Sequence, residues 1–401
     1  MRCTPEIRAS VLRDLDARNL RRRRELADDG RVNFCSNDYL GLAHEPRVAS
    51  AMADAARQLG AGSGASHLIS GHGAEHEALE QELAEFTGRE RALVFSTGYM
   101  ANMGVLAALA DRRDTLIADE LNHASLIDAA RLVRSSKNHR YAHCDANAAA
   151  TLLDSLGPGA AADDAGVFVI TDGVFSMDGD LAPLPALAAA AAKHHAWLVV
   201  DDAHGIGVVG KTGRGSCEFF GMDARSVQVL VGTFGKALGT FGAFVAGDAD
   251  IIELLVQRAR SYIYTTALPP AVAAATRTAL KIVRDEPSRR ERLQEIIVQF
   301  REGARVRGLQ LVDSTTPIQP LVLGTADAAL EASAELAAAG YRVTAIRPPT
   351  VPAGTSRLRI TLSSAHTASQ VDGLLAALEA ATSRRKFSFG TSQPGVSASG
   401  P

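Results

Sequence analysis

Cysteine is scarce in this 401-residue chain, and the four present (Cys3, Cys35, Cys144, Cys217) form no CxxC pair. Spacing of that kind suggests neither a disulfide framework nor a zinc site. Net charge is small as well: 42 Lys and Arg stand against 45 Asp and Glu, a formal −3. Neither nucleic acid nor a membrane surface is therefore expected as a partner. No apolar run is long enough to span a bilayer, and the first residues lack an apolar stretch of signal-peptide type, so a cytoplasmic location is expected. The Ala-rich runs near 186–192 and 327–339 are broken by proline or charge and read as amphipathic helices. A P-loop is missing too, because Gly232 and Gly235 stand too close together and Ala237 follows the lysine. The 46% of hydrophobic residues that remain suffice for two domains and a large core.

The chemistry centres on residues 229–243, VLVGTFGKALGTFGA. Val229, Leu230 and Val231 read as a buried strand, which turns at Gly232-Thr233-Phe234-Gly235 and presents Lys236. A lysine between an apolar strand and glycines is easily desolvated, and desolvation moves its pKa toward the range of a nucleophilic amine. The Thr233 hydroxyl suits a phosphate oxygen. Together they fit a cofactor with a carbonyl and a phosphate, although a lysine beside glycines, taken alone, is more often a solvated loop lysine.

Other apolar runs also end on polar residues. ALVFSTG (92–98) leads into a helix at Gly98-Tyr99, whose free N–H groups suit a phosphate. LIAD (116–119) leads to His123, at the strand end where α/β proteins place ligands. VFVITDGVFSMDGD (167–180) carries Ser176, and WLVVDDAHGIGVVG (197–210) carries Asp201, Asp202 and His204. A carboxylate at a buried strand end needs a partner, which a protonated pyridine nitrogen could be. Gly205, Gly207 and Gly210 match GxGxxG but run into Lys211-Thr212-Gly213, which cannot open a helix, so a nicotinamide dehydrogenase is not favoured. His67, His72 and His76 lie in or beside the Gly-rich stretch 60–73 at spacings of five and four without an acidic partner, and no metal is expected.

Between these runs the pattern predicts helices over 5–27 (basic, with Arg13, Arg18 and the run 21–24), 47–60, 74–87, 270–284, 288–307, 327–339 and 367–382. Strands are predicted at 318–324, 341–352 and 356–366, the last with Arg357 and Arg359 on one face. The Gly-, Ser- and Pro-rich end reads as a disordered tail.

The passages FCSNDYLGL, GSGASHLISG, LNHASL, TDGVFSMDGD, VVDDAHGIGVVG, TFGKALG and TAIRPPTVPAGTSRLRITL resemble the α-oxoamine synthases. These are pyridoxal-phosphate enzymes of the fold-type-I aminotransferase superfamily, and the resemblance covers about residues 30–382. It implies an α/β fold-type-I transferase with a mostly parallel seven-stranded sheet and a smaller C-terminal α+β domain. The implied divisions are an arm (1–46), a large cofactor domain (47–285), a small domain (286–384) and a tail (385–401). It further implies that Lys236 bonds covalently to pyridoxal 5′-phosphate, Asp201 pairs with the ring nitrogen, His123 stacks on the ring, and His204 and Ser176 contact its phenolic side. Gly98, Tyr99 and Thr233 would hold the phosphate, with Thr265 and Thr266 reaching that of a second subunit in a homodimer. Asn37, His123, Thr350 and Arg359 would contact substrate, and Arg21 the far end of the acyl chain.

Within the family, RPPTVPAGT and the Arg-rich start favour the biotin-pathway branch, an acyltransferase that joins L-alanine to a pimeloyl thioester on coenzyme A or acyl carrier protein. Glycine C-acetyltransferase, 5-aminolevulinate synthase and the serine palmitoyltransferase type share the same site and remain alternatives. A non-catalytic subunit would lack the lysine, which is present. Three departures stand out: a short N-terminal helix, His67 where many relatives carry arginine, and a tail without a counterpart.

Overall fold

The computed structural model describes residues 4–22, 24, 26, 29–135, 137–156 and 165–383. The expected tail, 385–401, lies outside the described residues. Twelve strands form among them: β1 (Val32–Asn33), β2 (Arg91–Phe95), β3 (Thr115–Asp119), β4 (Lys137–Tyr141), β5 (Val167–Asp172), β6 (Trp197–Asp201), β7 (Val229–Thr233), β8 (Ala243–Gly247), β9 (Ile318–Gly324), β10 (Tyr341–Arg342), β11 (Thr344–Ile346) and β12 (Ser356–Thr361).

Seven of these make the main sheet in the order β2-β8-β7-β6-β5-β3-β4. Only β8 is reversed, pairing antiparallel with β2 and β7, while β3, β4, β5, β6 and β7 pair in parallel. Both faces are covered, so central strands such as β3, β5 and β8 are buried throughout. Alternation divides each strand between two cores. Leu93, Leu116, Phe168, Val199 and Val231 pack in one with Ala101 and Val105 of the helix Gly98–Leu109. Val94, Ile117, Val169, Val200 and Leu230 pack in the other with Leu79 and Leu83 of the helix Ala74–Thr87. From β3 the chain steps outward to β4 and then returns to β5 on the other side of β3. This reversal opens the crevice at the carboxyl ends where α/β sheets bind ligands.

The C-terminal part carries a three-stranded antiparallel sheet, β11-β12-β9. Its helices span Ser288–Val306, Ala326–Ala338 and Ala368–Ser383. The N-terminal arm joins it, since β1 pairs in parallel with β10.

Two expectations need correction. The basic helix expected over 5–27 ends at Ala17, because Asn19 adopts a left-handed conformation (φ 53°) and turns the chain away. The strand expected over 341–352 is two short pieces ending at Ile346, just before Pro348-Pro349, where the amide donors of a ladder are missing. No helix among the described residues is long and apolar enough to cross a membrane.

Candidate functional site

Strand alternation decides which of two adjacent carboxylates serves the crevice. Val199 and Val200 face opposite cores, so Asp201 falls on the side of the helix Gly98–Leu109 and Asp202 on the other. Asp201 accepts hydrogen bonds from Asn102 Nδ2 at 2.6 Å and from the Ala203 N–H at 3.0 Å. Asp202 accepts from the Ser216 N–H at 2.7 Å, and burial raises its pKa to about 7. Gly173, Gly205 and Gly215 crowd around it, and a Cβ on any of them would lie within 2.5 Å of an Asp202 oxygen. Residues 203–213 form turns rather than a helix. Gly205 of the GxGxxG match thus makes room for a carboxylate.

Asn102 uses its second N–H on Ser125 Oγ at 2.8 Å, and that oxygen lies 2.7 Å from His123 Nδ1. The Ser125 hydroxyl accepts from Asn102 and so donates to Nδ1, which leaves the ring proton of His123 on Nε2. The His123 N–H donates to Asp172 Oδ2 at 2.6 Å. Burial lowers the His123 pKa; nearby Asp201 opposes the shift and Lys236 adds to it. Asp172 is pushed well above the carboxylate range, first by burial and then by the charge of Asp201.

Lys236 follows β7 and is held by a tight loop. Burial lowers its pKa to about 8 against the pull of Asp201 and Asp172. It lines a cavity of about 570 Å³ together with Asn37, His123, Ser176, His204, Thr350 and Arg359. Seven expected site residues, drawn from 323 positions of sequence, therefore meet in one place. Tyr39, fully buried, sets its hydroxyl 2.6 Å from His204 Nδ1, and burial holds His204 well below the usual histidine pKa. Arg359 donates to the Ser176 carbonyl at 2.6 Å, to Asn37 Oδ1 at 3.2 Å and to Thr361 Oγ1 at 3.0 Å. Its neighbour on that face, Arg357, pairs with Asp178.

Other expected residues stand apart from this lining. The Thr233 hydroxyl donates to the Gly242 carbonyl at 2.9 Å. Gly98 and Tyr99 open their helix, with Thr97 capping the Met100 N–H at 3.1 Å, and a Cβ on Gly98 would meet nothing within 4 Å. Thr265, half-buried, and Thr266, exposed, lie in the segment after the short helix Arg260–Ile263. Arg21 pairs with Asp16 at 2.6 Å and lines a separate cavity of about 690 Å³ with Arg31, Arg342 and Arg347. The two cavities share Cys35 and Thr344, and the first is lined by Arg22 as well as Arg359; Arg22 donates to Thr350 Oγ1 at 3.2 Å. His67 is buried, stacked on Tyr262 at 4.8 Å, and His72 does have an acidic neighbour, Glu77 at 3.2 Å. Sequence reasoning had not singled out Arg22, Tyr39, Ser125 or Asp172, nor the role of Asn102. The one available signal was a lone amide on an otherwise apolar helix.

The donor set fits a phosphorylated pyridine aldehyde. Asp201 and Asp172 are two buried carboxylates that repel each other and would welcome a cation. Gly98 leaves open space at a helix start with free N–H groups, and Lys236 supplies the amine.

The chain is similar to known proteins. The family of class I and II aminotransferases matches residues 29–378. An 8-amino-7-oxononanoate synthase of Methylococcus capsulatus is 58% identical over 382 residues, covering 92% of this chain and 97% of the relative. The solved 8-amino-7-oxononanoate synthase of Francisella tularensis superposes with a TM-score of 0.76 at 32% identity, covering 89% of this chain and 99% of that one. A serine palmitoyltransferase from S. paucimobilis, solved with a bound PLP–myriocin aldimine, reaches a TM-score of 0.84 at 32% identity, with 88% of each chain covered.

Proposed function

The chain belongs to the class I and II aminotransferase family, and we propose that it uses pyridoxal 5′-phosphate to condense L-alanine with a pimeloyl thioester, releasing CO2 and the free carrier thiol and giving 8-amino-7-oxononanoate for biotin synthesis. The observation that carries this reading is the convergence of Lys236, His123, His204 and Arg359 on one cavity, in a chain 58% identical to such a synthase.

Bound pyridoxal phosphate supplies a carbonyl that amines can exchange on and a ring that accepts the electron pair left at the alanine Cα. Lys236 would hold the cofactor through its amine and, once that amine is free, would take the alanine Cα proton. With a pKa of about 8, a useful fraction is neutral near pH 7. Asp201, oriented by Asn102, keeps the ring nitrogen protonated. His123, held in one tautomer through Ser125, covers the ring with a neutral face. His204 and Ser176 contact the phenolic side. The N–H groups of Gly98 and Tyr99 with the Thr233 hydroxyl take the phosphate, and Thr233 turns from Gly242 to do so. Arg359 and Asn37 bind the alanine carboxylate beside Thr350. Arg21 reads the distal pimeloyl carboxylate from the adjoining cavity.

The same reading makes the protein a cytoplasmic homodimer in which the half-buried Thr265 and the exposed Thr266 serve the phosphate site of the second subunit. It also divides the chain into an arm (1–46), a large domain (47–285), a small domain (286–384) and a tail (385–401). Coenzyme A or acyl carrier protein is the acyl carrier. Purified protein supplied with pyridoxal phosphate, L-alanine and pimeloyl-CoA or pimeloyl-acyl carrier protein should form 8-amino-7-oxononanoate, read by mass spectrometry. Product from glycine or serine with no product from alanine would assign the chain to a sister activity.

A further inference from the structure

Away from the catalytic cavity, the ends of β3 and β4 and the turn after β5 bring together a second group of reactive side chains. His143 Nε2 lies 2.8 Å from Asp180 Oδ2, Cys144 Sγ lies 3.3 Å from the same oxygen, and Sγ and Nε2 are 3.7 Å apart. Adjacent residues of an extended strand point to opposite sides. Here they do not, because Cys144 takes a left-handed conformation (φ 55°), uncommon for a residue other than glycine. Behind this triangle, Asp119 is 1% exposed and receives His143 Nδ1 at 3.1 Å and the Cys144 N–H at 2.8 Å. The remaining oxygen of Asp180, Oδ1, is buried with no hydrogen-bond partner among the described residues.

We infer that His143 Nε2, Cys144 Sγ and Asp180 bind one zinc ion, with Asp119 fixing the imidazole from its other nitrogen. Nitrogen, thiolate and carboxylate are the donors zinc takes. An ion over this triangle lies about 2 Å from each atom, matching Zn–N and Zn–O and slightly short for Zn–S. A carboxylate on the far nitrogen of a ligating histidine is the usual support of such sites. His143 and Asp180 keep 22% and 26% of their side-chain surface, which leaves an approach and a fourth position for water. Coordination releases two protons, one from Nε2 and one from Sγ. The ion ties the end of β4 to the turn that carries Phe175 and Ser176. Phe175 meets the His143 ring edge-on at 4.4 Å, and the Ser176 carbonyl receives Arg359. The site therefore braces one wall of the catalytic cavity and takes no part in the chemistry.

The test uses holoprotein stripped with a chelator and then titrated with zinc, with bound metal counted after dialysis. Wild type should lose one tightly bound equivalent when changed to Cys144→Ser or Asp180→Asn, and Asp119→Asn should weaken zinc about 10- to 100-fold. His72→Gln, in the separate group of His72, Glu77 and Glu80, should leave that equivalent in place. A second measurement needs no variant: zinc should slow iodoacetamide labelling of the Cys144 peptide while Cys35 labels as before. Unchanged Cys144 labelling in excess zinc, or zinc held as tightly by Cys144→Ser, would overturn the assignment.

Discussion

The Asn102 amide donates to Asp201 across 2.6 Å, joining a helix to a strand end 99 residues away. Its other N–H goes to Ser125, so a single side chain orients both the carboxylate and, through Ser125, His123. Asn102→Ala should remove a charge-assisted hydrogen bond worth about 1.5–3 kcal/mol. Urea denaturation of the cofactor-free protein would show the loss as a lower midpoint. A midpoint matching wild type would mean that Asp201 is held without Asn102.

Lys236→Ala should abolish turnover of alanine and the cofactor adduct that borohydride otherwise traps, because among the described residues no other amine lines the cavity. A normal rate in this variant would remove Lys236 from the chemistry.

The depressed pKa of Lys236 also carries a sign. Between about pH 8 and the ordinary lysine value of 10.5, the unfolded chain keeps a proton that the folded cofactor-free protein has released. Stability conferred by this residue therefore rises with pH across that window and is least below it. Lys236→Met, which cannot titrate, should gain stability over wild type as pH falls from 10 toward about 8, with the gain levelling off below. A stability difference independent of pH would show that the amine titrates normally.

Asp201 and Asp202 should separate cleanly. Asp201→Asn withdraws the partner of the ring nitrogen, and a ring pKa lower by even one unit corresponds to about a tenfold effect. Alanine Cα proton exchange, followed by NMR in D2O, should slow by at least that much while cofactor binding changes less. Asp202→Asn, on the opposite face with Ser216, should leave exchange largely intact. The reverse pattern would exchange their roles.

Much of this was legible because the parallel central strands β3, β6 and β7 are short apolar runs ending where chemistry begins: Asp201 after WLVV, His123 beyond LIAD, Lys236 beyond VLVGT. Edge strand β4, KNHRY, was not, since its exposed residues show no apolar face to read. Nor was the end of the first helix, which depends on the backbone of Asn19. Asn102 could be seen as part of a helix start, but its partner lies on another strand. The group of His143, Cys144 and Asp180 was invisible to cysteine spacing for the same reason, as 36 residues separate Cys144 from Asp180. Contacts made by folding leave no mark in local pattern.

Specificity for the acyl chain gives the last prediction. A pimeloyl thioester carries a carboxylate about six carbons from its reacting carbonyl, and a charge-assisted contact to it contributes about 1.5–3 kcal/mol when shielded from water. Arg21 faces the adjoining cavity with 40% of its side chain exposed and already holds Asp16, so solvent and competition should bring the effect toward the lower end, about tenfold. Arg21→Ala should therefore reduce the preference for pimeloyl-CoA over the uncharged heptanoyl-CoA by about tenfold, with alanine binding unchanged. Asp16→Asn should act in the opposite direction by freeing Arg21. Arg22 provides the contrast, since it lines the catalytic cavity and spends a donor on Thr350. If Arg22→Ala erased the preference and Arg21→Ala did not, the carboxylate would be read inside the catalytic cavity and the pimeloyl chain would fold back rather than extend past Cys35 and Thr344.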